Sequence, residues 1–252
     1  MEINKEEVKN RFGRSADSYN EHAKVQKMVV EQLHRMILES IDYAPEKILE
    51  VGCGTGLLTM ELKHLFPTSD LYINDLSHAL CQRAALHSDV ATERVLSGDI
   101  EEIDLPGVFD AIFSASTFQW LAEPQNTFAR LSRHLRQKGL MIFSTYGKYN
   151  LREIRMTTGG GLDYRSQDEI MELLEPYFRV EQIREEFRLL EFADPIAILQ
   201  HLKKTGVNLS CNPVVWTKGT VEAFTQEYNR RFAMDGKVTL TYHPLYLICR
   251  KK

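Results

Sequence analysis

The segment Ile48-Leu49-Glu50-Val51-Gly52-Cys53-Gly54-Thr55-Gly56 constrains this chain more than any other: an apolar run carrying an acid opens into three alternating glycines. Glycine reaches backbone conformations closed to other residues and lets a ligand come close where a Cβ would clash. The amphipathic stretch Leu57-Leu58-Thr59-Met60-Glu61-Leu62 follows and predicts a helix. Strand, glycine loop and helix in that order place a nucleotide-type site at the strand's C-terminal end. The spacing after Glu50 is G-x-G-x-G, where dinucleotide folds usually show G-x-G-x-x-G.

The pattern around this loop is an alternation. A helix is predicted over 21–40, where Val25, Met28, Val29, Leu33, Met36 and Ile37 recur at helical spacing. Strands are predicted at 47–51, 71–75, 94–97, 109–114 and 140–145, with helices at 77–87 and 124–136 between them. Such alternation implies an α/β, doubly wound, mostly parallel sheet with helices on both faces. Beyond Thr145 the rhythm changes. Residues 146–165 are polar, contain Gly159-Gly160-Gly161 and read as a mobile loop. A helix at 166–176 and one long strand at 177–192 follow. Asp194 as N-cap and Pro195 at the first helical position open a helix to about 204. A further helix spans 217–233, and Asp235-Gly236 makes a turn. Residues 238–241 and 245–249 read as a hairpin-like extended segment, or one long strand broken at Pro244. The expected organisation is one domain over 1–252: a helical cap at 1–44, a ligand-binding core at 45–145, and a helical lid at 194–235 inserted before the last strand.

Composition removes several function classes. At 252 residues, with 43% hydrophobic and 26% charged content, the chain matches an ordinary globular domain. A net charge of -4 gives no global reason to expect nucleic-acid binding. The charged N-terminus lacks the apolar core of a secretory leader, and no apolar run approaches membrane-spanning length. A cytoplasmic protein without membrane or nucleic-acid partners, and monomeric, is expected. Cys53, Cys81, Cys211 and Cys249 are scattered and form no C-x-x-C pair, so reduced thiols and no metal site are expected. Cys53 reads as a small loop residue rather than a nucleophile.

Four pieces line up along the chain as a ligand constellation. Glu50 with the loop at 52–56 is the first. Asp75 ends the second strand, where an acid in nucleotide folds accepts bonds from ribose hydroxyls. Gly98-Asp99-Ile100 follows the third strand, and the segment 114–120 follows the fourth. Taken singly, Asp75 also fits as a helix cap and Gly-Asp as a turn pair. A nicotinamide cofactor fits Asp75 and the strand order, but fits the glycine loop less well and finds no obvious hydride-transfer site.

The acid with G-x-G-x-G resembles motif I of class I S-adenosylmethionine (SAM)-dependent methyltransferases, and that resemblance covers roughly 45–145. It implies a Rossmann-like seven-stranded sheet. It also implies that Glu50, Gly52, Cys53, Gly54, Gly56, Asp75, Leu76, Asp99, Ile100 and Ser114 surround the cofactor, with Asp75 on the ribose and Asp99 on the adenine amino group. A narrower resemblance covers nearly the whole chain. Arg11-Phe12-Gly13-Arg14-Ser15-Ala16-Asp17-Ser18-Tyr19 with His22-Ala23 and Gln26 is similar to the start of malonyl-acyl-carrier-protein O-methyltransferases. So are Phe118-Gln119-Trp120, Asp194-Pro195 with Thr205-Gly206-Val207-Asn208, and Leu240-Thr241-Tyr242-His243-Pro244-Leu245-Tyr246.

That resemblance implies methylation of the free carboxylate of malonyl-carrier protein (or malonyl-CoA) by SAM, at the entry to biotin synthesis. Rival readings are methylation of another small acid or a quinone precursor, and SAM binding without turnover. A malonate carboxylate is already an anion near neutral pH and needs no general base. Catalysis then rests on alignment and exclusion of water. Arg11, Arg14, Tyr19, Gln119, Tyr146 and Arg152 are candidates to hold the carboxylate, with Tyr19 and Gln119 placed near the methyl group. Lys148, Arg152, Arg155 and Arg165, with Lys203-Lys204 and Arg230-Arg231, are candidates for docking an acidic carrier.

Overall fold

The computed structural model describes residues 4–10, 12–13, 24–206 and 216–252. The first strand, β1 (Lys47–Val51), is buried from Ile48 to Val51, as a central parallel strand covered on both faces must be. It pairs in parallel with β2 (Asp70–Asp75) on one side and β4 (Phe109–Ala115) on the other. β3 (Val95–Ser97) extends the sheet beyond β2, and β5 (Leu135–Tyr146) extends it beyond β4, both in parallel. The full order is β3-β2-β1-β4-β5-β10-β6, where β10 (Pro244–Lys251) runs antiparallel between β5 and β6 (Phe178–Glu185). The sheet is therefore seven-stranded and mostly parallel. Its strand order reverses between β1 and β4, the place where open α/β sheets leave a crevice.

Side chains along the central strands alternate between two cores. Ala111, Phe113, Leu140 and Ile142 point into one, against α1 (Lys24–Ser40), α2 (Leu57–Leu65) and α3 (His78–Ser88). Ile112, Met141 and Phe143 point into the other, against α4 (Pro124–Arg133) and α6 (Gln167–Leu174). Ser77 caps α3 through Leu80 N, and Ser166 with Glu169 forms a capping box on α6.

After β5 the structure departs from the expected rhythm. The polar stretch 146–165 is not one loop: it holds a short helix, α5 (Arg152–Thr158), stopped by Gly159 at φ 68°. Its anchor is Glu153, 1% exposed, which accepts Thr241 N at 3.0 Å and the Thr241 hydroxyl. The expected long strand at 177–192 is two strands in two sheets, β6 and β7 (Arg188–Phe192). Likewise β9 (Lys237–Tyr242) and β10 do not form a hairpin. β9 pairs with β7 and with the two-residue β8 (Ala233–Met234) in a separate antiparallel sheet, while β10 enters the main one. His243 is the corner. Its N–H donates to Asn150 Oδ1 at 3.1 Å, its Nδ1 accepts Tyr149 N at 3.0 Å, and its Nε2 meets Glu185 at 2.6 Å.

The inserted helices are α7 (Pro195–Lys204) and α8 (Lys218–Phe232). Asp194 caps α7 and accepts Ala197 N at 2.8 Å. Tyr228 of α8 is fully buried and donates to Thr239 O at 2.7 Å, which fixes α8 on the small sheet. No described helix is long and apolar enough to cross a membrane.

Candidate active site

The glycine loop is held open by its backbone. Gly52, Gly54 and Gly56 have φ of 75°, 52° and 93°, a region side chains disfavour. A Cβ on Gly52 would stand 2.0 Å from Thr117 Oγ1, whereas one on Gly54 would meet nothing within 4 Å. Gly52 therefore lets β1 and the segment after β4 approach, and Gly54 leaves open space for a ligand. The N–H groups of Gly52 and Cys53 both donate to Asn74 O at 2.8 Å. Gly54 N donates to Asp75 Oδ2 at 2.9 Å, and Ser77 N to Asp75 Oδ1 at 2.8 Å. Each Asp75 oxygen keeps a further lone pair for a ligand hydroxyl.

An open cleft lies above these strand ends. Of the expected cofactor residues, Gly52, Gly54, Asp75, Leu76, Asp99 and Ile100 line it. Glu50 and Cys53 line a smaller adjoining space beneath the loop, which shares Gly52 and Gly54 with the cleft. Gly56 and Ser114 line neither. Gly56 packs on α3, where an added Cβ would lie 3.1 Å from Ala84 Cα. Ser114 is fully buried and donates to Val51 O at 2.8 Å, tying β4 to β1.

The acids differ in state. Glu50 is 1% exposed, and its Oε2 has no hydrogen-bond partner among the described residues. Burial pushes its pKa up to about 8, and the Asp75 carboxylate adds to the rise. Burial also raises Asp75, against the two backbone N–H groups that favour its charge. The Cys53 thiol is raised by its hydrogen bond with the Cys81 thiol and by burial, the opposite of what a nucleophilic thiolate needs. Asp99 accepts Glu101 N at 3.0 Å and is also paired with Lys5, which bridges it to Glu101.

Lys5 belongs to the expected N-terminal cap, though not to the residues of it that the sequence singled out. Residues 5–10 are helical, and Lys5, Val8, Lys9 and Phe12 cover the cleft. The Phe12 ring meets Trp120 edge to face at 5.8 Å. The resemblance of 11–19 to a family pointed to this segment, but no local spacing said which side chains face the ligand. Tyr19, Arg11 and Arg14 lie outside the described residues, as does Cys211. Thr55, Asn74, Ser116 and Thr117 also line the cleft and were not anticipated individually. Asn74 holds the far wall, donating to Leu96 O at 2.7 Å and Gly98 O at 2.9 Å.

Gln119 sits in the short 3-10 turn Phe118–Trp120 and faces away from the cleft into a second cavity. Its amide is engaged at both ends: Nε2 donates to Ser116 O, and Oε1 accepts from Thr145 Oγ1 at 3.2 Å. Ser116, at the tip of β4, has φ 55°, an uncommon conformation for a non-glycine residue.

The residues present fit SAM: a buried acid beneath the loop whose Oε2 has no hydrogen-bond partner among the described residues, an acid at the end of β2, and a glycine opening onto free space. Fold and site together define a class I SAM-dependent methyltransferase. Residues 49–143 match the methyltransferase domain family. The chain is 37% identical to a malonyl-[acyl-carrier protein] O-methyltransferase of Bacteroides helcogenes, over 99% of this chain and all of the relative. It is 34% identical to that of Calditerrivibrio nitroreducens, over 96% of each. The chain belongs to the malonyl-[acyl-carrier protein] O-methyltransferase family. Among solved structures, the YcgJ protein of Bacillus subtilis shares the fold at TM-score 0.62 and 13% identity, over 88% of this chain and 98% of that one. The N-methyltransferase NodS of Bradyrhizobium japonicum, crystallised with S-adenosyl-L-homocysteine, does so at 0.53 and 14%, over 88% and 85%.

Proposed function

We propose that this enzyme transfers the methyl group of SAM to the free carboxylate of a malonyl group carried on acyl carrier protein. The products are the carrier-bound methyl ester and S-adenosylhomocysteine. The observation that carries this reading is that identity to a malonyl-[acyl-carrier protein] O-methyltransferase extends over 99% of the chain, well beyond the common core at 49–143. Methylation hides a negative charge, so the product can enter chain elongation as a primer, which places the step at the start of pimeloyl and biotin synthesis.

When bound, SAM supplies a methyl group activated by a sulfonium. The chain's own residues bind and align. In this reading Glu50 faces the cationic end of the cofactor, Asp75 the ribose hydroxyls, and Asp99 the adenine side once Lys5 shares it. Leu76, Ile100 and the cover formed by Val8 and Phe12 exclude water. The acceptor oxygen is already anionic, so no residue needs to remove a proton. Tyr19 and Gln119 act on the acceptor side. Gln119 fixes the backbone at Ser116 by bridging it to Thr145.

The insertion at 194–235 serves as a cover that responds to ligand. Lys148, Arg152 and Arg155 surround an open concavity with Tyr149 and Met156, and offer a basic face to an acidic carrier. The enzyme works as a cytoplasmic monomer. Intact-mass analysis of malonyl-carrier protein after incubation with enzyme and SAM tests the reaction. A single added methyl, removed by mild base, is expected; an unmodified carrier would overturn the reading.

A further inference from the structure

Beneath the glycine loop the cofactor cleft adjoins the smaller space lined by Glu50. The two share Gly52, Gly54, Thr55, Ala115 and Ser116, so one ligand can occupy both. Helix α1 contributes Gln26 and Val30 to the lining of the smaller space. Gln26 is a polar residue on the face of α1 that packs into the core, where Val25, Val29 and Leu33 are buried with it. It is 6% exposed, and its amide oxygen, itself buried, has no hydrogen-bond partner among the described residues. A buried acceptor without a donor is destabilising, and an apolar side chain would serve the packing better.

Glu50 lines the same space and has acceptor capacity to spare. Thr59 of α2 is the side chain that favours its charge, and one hydroxyl takes up only one of about four acceptor sites on a carboxylate. An acid and a neutral amide, both buried, therefore line one small space beside the cleft. A sulfonium has no N–H and cannot satisfy them by hydrogen bonding, whereas an ammonium brings three donors. An amide also carries a donor next to its acceptor. That pair complements an α-amino acid, which presents an ammonium next to a carboxylate. With the adenine side at Asp99 and the ribose at Asp75, the amino-acid end of SAM is the part left to enter this space.

We propose that Gln26 holds the amino-acid end of SAM together with Glu50, its amide oxygen accepting from the ammonium and its NH2 group donating to the carboxylate. Helix α1, which precedes the methyltransferase core matched at 49–143, is then part of the cofactor site. This rests on SAM as the cofactor, with Glu50 at its cationic end, and is independent of the methyl acceptor.

The test is calorimetric binding of SAM, S-adenosylhomocysteine and 5′-methylthioadenosine to the wild type and to Gln26→Met, with no acceptor present. Methylthioadenosine keeps the adenosine and the sulfur but lacks the amino-acid end. Gln26→Met should weaken SAM and S-adenosylhomocysteine by about tenfold each and leave methylthioadenosine unchanged. The ligand-free melting temperature should not fall, because the variant removes an unsatisfied buried oxygen. An equal loss for all three ligands would make Gln26 a support of the cleft as a whole and overturn the assignment. So would a loss confined to SAM, which would place Gln26 at the sulfonium, and so would no loss at all. If Gln26→Met fails to fold, Gln26→Asn decides by the same comparison, since it withdraws the same groups by one methylene. A loss selective for the two amino-acid ligands supports the seat, and a loss common to all three removes it. A wild-type protein that binds none of the three would instead bring down the cofactor reading, and this residue's role with it.

Discussion

Glu50 is a buried carboxyl whose pKa is pushed far up, and the sign of its effect can be followed. Its folded pKa of about 8 lies above its ordinary value of 4.5. Between those values the folded protein holds a proton that the unfolded chain has released. This contribution to stability is complete below 4.5 and is lost as pH rises through about 8. The melting temperature of the SAM-free enzyme should therefore fall across that window, and Glu50→Gln should flatten the fall. A bound cation favours the ionised carboxylate, so SAM affinity should rise with pH toward 8 in the wild type and stay level in Glu50→Gln. Calorimetric titration at several pH values checks this, and a flat wild-type profile would remove Glu50 from the cofactor's charged end. Gly52 makes a steric prediction. Its alanine variant would force Cβ against Thr117 at a positive φ, so SAM binding should weaken by more than about tenfold. Equilibrium dialysis of a variant shown by circular dichroism to be folded measures it. Both residues were legible in the sequence, because an acid beside alternating glycines has few uses. Ser114 was expected beside the cofactor from its position at the end of strand four; its buried hydroxyl bonds a backbone carbonyl of β1.

At the level of elements, the central strands were readable because each is a short apolar run between turn signals. The C-terminal third was harder. Residues 178–192 alternate evenly enough to look like one strand, and only tertiary pairing separates β6 from β7. The corner at His243 and the helix α5 depend on bonds between residues about 90 apart, such as Glu153 with Thr241, which no local pattern carries. The motif around His243 that resembles a family is thus an anchor for the 147–153 segment rather than a chemical group. The N-terminal cap was expected as an element, but which of its side chains face the cleft was not legible. Phe12→Ala removes an edge-to-face ring contact worth about 0.5–1.5 kcal/mol, so SAM affinity should drop by roughly 2–10-fold with little change in melting temperature. Unchanged affinity would mean that the cover does not close on ligand. Hydrogen exchange in α7 and α8 should slow when SAM and a product analogue bind together; no change there would dismiss ligand-gated closure of the insertion.

For the whole molecule, the net charge of -4 conceals a local basic face. Lys148, Arg152 and Arg155 lie just past the end of β5, and the carboxyl ends of the parallel strands are where the cofactor cleft lies. A carrier docked there would present its acyl arm close to the site. The KM for malonyl-carrier protein should rise with ionic strength, and Arg152→Glu should raise it further, while malonyl-pantetheine responds to neither. A salt-independent KM would place the dock elsewhere. The central claim is that this fold methylates a carrier-bound carboxylate. The most direct measurement is the rate of methyl transfer from labelled SAM to malonyl-carrier protein, malonyl-CoA and free malonate in parallel. The account predicts base-labile label on the carrier protein, formed faster than on either small acceptor. Absence of label on all three, with SAM binding demonstrated separately, would contradict it.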